Sequence, residues 1–101
     1  MTTFEKILEI FRDYLLSESC VEVLPTKWGY VRLYYEEPYG DSFDAVLCRT
    51  PEELFEVLLN HALAEREYWL SKEASKSDRE MSVELKKTYD LYISRFQKGG
   101  V

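Results

Sequence analysis

Residues 50–70, TPEELFEVLLNHALAEREYWL, carry the clearest helical pattern in this chain. At about 100° per residue, Leu54, Leu58, Trp69, Ala62, Phe55, Leu59, Leu70 and Leu63 fall on one half of a cylinder. Val57, Ala64, Tyr68 and His61 widen that less polar arc to roughly 260°, leaving Glu53, Glu56, Asn60 and Glu67 as a narrow strip for water. Glu65 and Arg66 interrupt the arc. The start is equally clear. Thr50 is placed to cap the first turn, Pro51 needs no N–H at the first helical position, and Glu52 and Glu53 face the positive end of the helix dipole. A helix apolar on so many sides packs on more than one element, or on a second copy of the chain.

Two more helices flank it. Thr2 to Ser17 reads as the first, with Thr2 and Glu5 at capping-box spacing. Phe4, Ile7, Leu8, Ile10, Phe11, Tyr14 and Leu15 form its apolar arc, and Glu5, Lys6, Glu9, Arg12 and Asp13 its solvated face. Ser77 and Glu80 match a second capping box and open a last helix to about Gln97, with a stripe of Met81, Leu85, Tyr89, Tyr92, Ile93 and Phe96. The short polar break over 71–76 makes the last two helices a C-terminal helical hairpin.

Between the first and central helices the pattern changes to that of strands. Cys20 to Leu24 is a short one, closed by a turn at Pro25–Thr26–Lys27. Trp28 to Glu36 is the strongest, rich in aromatic and β-branched residues. The stretch from Glu37 through Pro38 and Gly40 to Ser42 turns the chain back into Phe43 to Arg49. Connections this short permit only an antiparallel meander. The expected fold is a single α+β domain over 1–101, α-β-β-β-α-α, with a three-stranded antiparallel meander packed against helices.

Alternation on the strongest strand puts Trp28, Tyr30, Arg32 and Tyr34 on one face and Val31, Leu33 and Tyr35 on the other. Neither face is polar. The arginine-bearing face has the composition of a binding surface, so Val31, Leu33 and Tyr35 are expected to meet the helices. Trp28, Tyr30, Arg32 and Tyr34, with His61 and Tyr68 from the central helix, form the candidate interface. The competing arrangement has the last helix covering the Trp28 face.

Composition narrows the function classes. With 46% apolar and 15% aromatic residues the chain has enough material to fold. A formal charge of −6 disfavours nonspecific attraction to nucleic acid or anionic lipid, and no apolar run is long enough for a membrane span. Met1 leads straight into an amphipathic helix, so no signal peptide is expected. Cys20 and Cys48 are too few and too far apart for a zinc motif or disulfide framework, and read as thiols of a cytoplasmic protein.

Candidate chemistry is sparse. The single histidine, His61, stands four residues before Glu65, a spacing that can present an imidazole and a carboxylate on one helical face. A metal would need further ligands and none is evident, so His61 is expected to be structural or interfacial. Glu36, Glu37, Asp41 and Asp44 crowd the second hairpin without EF-hand spacing, and read as a solvated turn. No nucleophile motif or phosphate cradle is present. No catalytic group, cofactor or metal is therefore expected. The sequence reads as a small acidic, non-enzymatic protein-binding domain whose partner is another protein or a second copy. The alternative is a nucleic-acid-related regulator, binding single strands on the Trp28 face or acting as an acidic mimic that blocks a nucleic-acid-binding protein.

Overall fold

A computed structural model describes residues 2–35, 42–73 and 76–99 of the chain. Its elements are α1 (Phe4–Ile10), α2 (Arg12–Ser17), β1 (Val21–Thr26), β2 (Gly29–Tyr35), β3 (Ser42–Cys48), α3 (Pro51–Ser71) and α4 (Asp78–Gly99). The strands lie in the order β1-β2-β3, both pairs antiparallel. With α1 and α2 taken as one bent N-terminal segment, this is the α-β-β-β-α-α meander with a C-terminal helical pair that the hydrophobic pattern predicts.

The bend has a side-chain cause. Backbone bonds from Phe11 to Ile7 and from Leu15 to Phe11 carry the helical ladder past the break. The Tyr14 N–H leaves that ladder and donates to the Asp13 carboxylate. The Ile10 carbonyl instead accepts from the Arg95 guanidinium of α4 at 2.9 Å. A side chain inserted into the i→i−4 ladder is a recognised source of kinks. Arg95 also pairs with Asp13 at 3.1 Å. Burial pushes the Asp13 carboxyl up, but the Arg95 hydrogen bonds, the Tyr14 N–H and the Arg95 charge together hold it below the usual carboxylate range. Asp13, expected to belong to a solvated face, thus ties α2 to α4. The bend also carries Phe11 fully into the core, stacked on Tyr92 at 4.5 Å and tilted against Phe55 at 5.6 Å.

Caps set the other boundaries. Thr50 caps α3, accepting from the Glu53 N–H, and Ser77 caps α4 by accepting from the Glu80 N–H. Thr3, not Thr2, caps α1 by accepting from the Lys6 N–H. The first hairpin also turns later than the sequence suggests. Thr26 pairs with Gly29, so the loop is Lys27–Trp28, and Pro25 sits within β1, an edge strand that tolerates a missing N–H. The second hairpin tip, including Glu36, Glu37 and Asp41, lies outside the described residues. On β3 an extra residue, Phe43, separates the Tyr34–Asp44 pair from the Tyr35–Ser42 pair, a β-bulge.

α3 touches α1, α4, β2 and β3, and buries Leu54, Phe55, Leu58, Leu59, Ala62 and Leu70. α4 packs on α3 and α1, with Phe96 against Phe55 at 4.4 Å. The helices meet the sheet through Phe4, stacked on Tyr30 at 4.4 Å, and His61, stacked on Tyr34 at 5.5 Å. The molecule is flat, 47 × 38 × 17 Å. Seventeen ångströms holds one sheet and one helical layer. Among the described residues, therefore, no second layer lies over the far face of the sheet.

Candidate functional site

The strand register corrects the expected choice of face. Cross-strand partners put Val21 beside Tyr34, Val23 and Val46 beside Arg32, and Cys48 beside Tyr30. That side meets the helices: Val21 and Cys48 are buried, and Tyr30, Tyr34, Val23 and Val46 pack against the core. Tyr30 and Tyr34 are not free platforms, since their rings already lie on Phe4 and His61. Arg32, expected to be exposed, is only 5% exposed. Its guanidinium donates to Asp44 at 3.0 Å, and its Nε is buried without a hydrogen-bond partner among the described residues. The arginine is tolerated inside because Asp44 is itself half open to water and offsets the charge at the margin of the sheet. Of the remaining candidate interface residues, Trp28 projects from the hairpin loop at 71% exposure, Tyr68 is exposed, and His61 is half-buried.

The opposite face of the sheet is the open one. In register it presents the row Leu24–Val31–Leu47 and the row Glu22–Leu33–Ala45. Leu24 and Leu47 are exposed at 43% and 37%, and Val31, Leu33 and Tyr35, expected to lie under the helices, are half-buried and stand apart from the helical core. A contiguous apolar patch open to water on one chain is the usual mark of an interaction surface.

A second feature lies between α2, β2 and α3. Tyr14, Glu18, Tyr34, His61, Ala64, Glu65, Tyr68 and Trp69 line a cleft of about 500 Å³. His61 and Glu65, four residues apart, do share this cleft, but Glu65 pairs with Glu18 from the end of α2, which sequence spacing gives no way to find. Glu18 is held by the Cys20 N–H, which donates to its carboxylate at 3.0 Å. Burial, the hydrogen bond to Glu18 and the Glu18 charge push the Glu65 carboxyl up to about 7, against donation from the Trp69 indole and the Tyr14 hydroxyl. Burial, then the Arg32 charge, hold His61 below its ordinary value despite Asp44 and Glu18, so the imidazole is neutral at pH 7. Among the described residues no three His, Cys, Asp or Glu side chains are grouped to hold a metal ion. Both cysteines are free thiols; Cys48 is fully buried, and burial raises its pKa.

The raised pKa of the Glu65 carboxyl has a measurable consequence. Glu65 ionises near 4.5 in the unfolded chain and near 7 in the fold. Between those values the folded state keeps a proton that the unfolded state has lost, so this group's contribution to stability falls as pH rises. The unscreened difference of about 3 kcal/mol is an upper limit; with the pair partly open to water, about 1 kcal/mol is expected. Glu65→Gln should therefore gain on wild type by that amount between pH 5 and 8 in urea unfolding. His61 acts in the opposite sense, its contribution falling as pH drops below 6.5, and it is common to both proteins. Parallel pH profiles for the two proteins would show that the carboxyls do not share a proton.

No helix among the described residues is long and apolar enough to cross a membrane. No protein-family profile, curated protein or solved structure matches this chain.

Proposed function

We propose that this protein is a small non-enzymatic protein-binding domain of a reducing, cytoplasmic compartment, and that its partner is a second copy of itself. The observation that carries the reading is the open apolar face of the sheet. A folded monomer of 12.0 kDa exposes about 6,000 Å², whereas this chain exposes 7091 Å². The excess of about 1,100 Å² over the whole chain leaves room for the roughly 800 Å² that each partner loses in a standard interface. Two such faces brought together at about 10 Å would bury Leu24, Val31, Leu33 and Leu47 from both chains and give a four-layer α/β/β/α particle. Sheet-on-sheet packing suits the surface better than a helix in a groove, because the face is broad and two of its three strands are edges.

Light-scattering mass across a concentration series tests the proposal. Wild type is expected at about twice 12.0 kDa. The double variant Val31→Thr, Leu33→Thr keeps one β-branched residue and gains another, preserving strand preference while removing the apolar centre. It should remain folded by circular dichroism and run as a monomer. Raising salt should strengthen self-association, because two chains of charge −6 repel one another and salt screens that repulsion. A wild type that is monomeric up to hundreds of micromolar, or a double variant that stays dimeric, overturns the reading. Association that instead appears only with a basic partner, and weakens with salt, would favour the acidic-mimic alternative.

A further inference from the structure

The cleft between α2, β2 and α3 has a composition that the sheet-face reading does not use. Three tyrosines and a tryptophan stand around it: Tyr14, Tyr34, Tyr68 and Trp69. Tyr68 and Trp69 meet edge to face at 5.5 Å, so their ring planes close a corner. Both remain more than half exposed, which is unusual for large aromatics at the end of a packed helix. Within the same cleft, Glu18 and Glu65 bring two carboxyls into contact. The groups that hydrogen-bond these carboxyls are neutral: the Cys20 N–H, the Tyr14 hydroxyl and the Trp69 indole. Neither Glu18 nor Glu65 forms an ion pair among the described residues. Two touching carboxyls without a counter-cation are an unfavourable arrangement unless they share a proton or receive a cation.

One ring of the cleft already holds a cation of the chain itself, from a residue outside the lining. The Lys72 ammonium lies over the Tyr68 ring, 5.0 Å from its centroid. Aromatic faces attract ammonium and guanidinium groups through the ring quadrupole, more strongly where water is partly excluded. The cleft volume of about 500 Å³ falls within the range of small-molecule sites.

From the aromatic walls, the carboxyl pair and the volume we infer that this cleft is a binding site for an organic monocation, an alkyl-guanidinium or alkyl-ammonium group. Its charge would lie on Glu18 and Glu65 and its alkyl part in the corner that the Tyr68 and Trp69 rings form. The cation takes the place of the shared proton, and the rings supply contact area that a bare metal ion could not use. A free amine or guanidine and the side chain of an arginine or lysine on another protein share this chemistry. The cleft is on the helical side of the sheet and stays accessible in a sheet-to-sheet pair, so the two proposals stand or fall separately.

The test uses the full chain with Trp28→Phe, which leaves Trp69 as the only tryptophan reporter. Its fluorescence is followed during titration with methylguanidinium, with methylurea as the neutral isostere, and with a blocked Ala-Arg-Ala tripeptide. A saturable change is expected with methylguanidinium and the tripeptide and none with methylurea. Apparent affinity should fall at least tenfold in Glu65→Gln and in Tyr68→Ala, each checked for folding by circular dichroism. Tripeptide binding more than tenfold tighter than methylguanidinium identifies a protein side chain as the guest; equal or weaker binding identifies a free cation. No saturable response to either cation below about 10 mM, an equal response to methylurea, or an affinity unchanged by Glu65→Gln overturns the inference.

Discussion

Gly29→Ala should destabilise the protein by about 3 kcal/mol or more, because it combines backbone strain with a backbone clash. Gly29 has φ +146°, a region that residues with a Cβ rarely adopt, and strain of this kind alone costs about 1–3 kcal/mol. A Cβ built there would collide with the Cys48 carbonyl oxygen and stand 3.0 Å from the Arg49 Cα. Both are backbone atoms, so relief requires β3 to move away from β2 and not merely a side chain to rotate. The same residue closes the first hairpin, where its carbonyl accepts from the Thr26 hydroxyl at 2.9 Å. Displacing it disturbs the turn, the β2–β3 ladder and buried Cys48 together. Chemical denaturation compares the variant with Trp28→Phe, an adjacent exposed position that should change stability by less than about 0.5 kcal/mol. Equal effects at the two positions would show that the close approach of β2 to β3 is not a constraint.

Leu58→Ala should cost about 2–5 kcal/mol, the range for a truncated core leucine. Leu58 is completely buried, in the middle of the helix that touches α1, α4, β2 and β3. The cavity it leaves is walled by several elements at once, and none can close it without leaving another. A domain of this size has a total stability of about 5–15 kcal/mol, so the loss is a large share of the whole. Glu56→Ala, two residues away on the exposed strip of the same helix, should change stability by less than about 0.5 kcal/mol. Melts of the two variants side by side read out the orientation of the helix directly. Similar losses would mean that α3 is rotated about its axis relative to the sheet.

These two effects differ in how far they could be read from the chain. The buried arc of α3 follows from its 3.6-residue period, and the Thr50 and Ser77 caps from their spacing to Glu53 and Glu80, because both are local relations along one helix. Leu58 could be chosen from the sequence for that reason. Gly29 could not. Its neighbour is the Cys48 carbonyl on another strand, and only the register of β2 against β3 brings the two together.

The same distinction separates what the residues alone determined from what the tertiary structure decided. Helix periods, strand composition and connections too short for a crossover were enough to give an α+β domain with an antiparallel meander and a helical hairpin. They could not say which side of the sheet the helices cover. Alternation along β2 gives two apolar faces, and Arg32 marked one of them as the wet side. The choice belongs to three strands together: Val21, Val23, Val46 and Cys48 fall in register with Tyr30, Arg32 and Tyr34, and make that side the larger apolar surface despite the charge. The bend at Phe11 likewise needs Arg95, which arrives from α4 to take the Ile10 carbonyl. The contact between Glu18 and Glu65 exists only where the end of α2 meets the flank of α3. Periodicity records the environment of a residue along its own element, whereas pairing between elements depends on register and packing, which no single segment encodes.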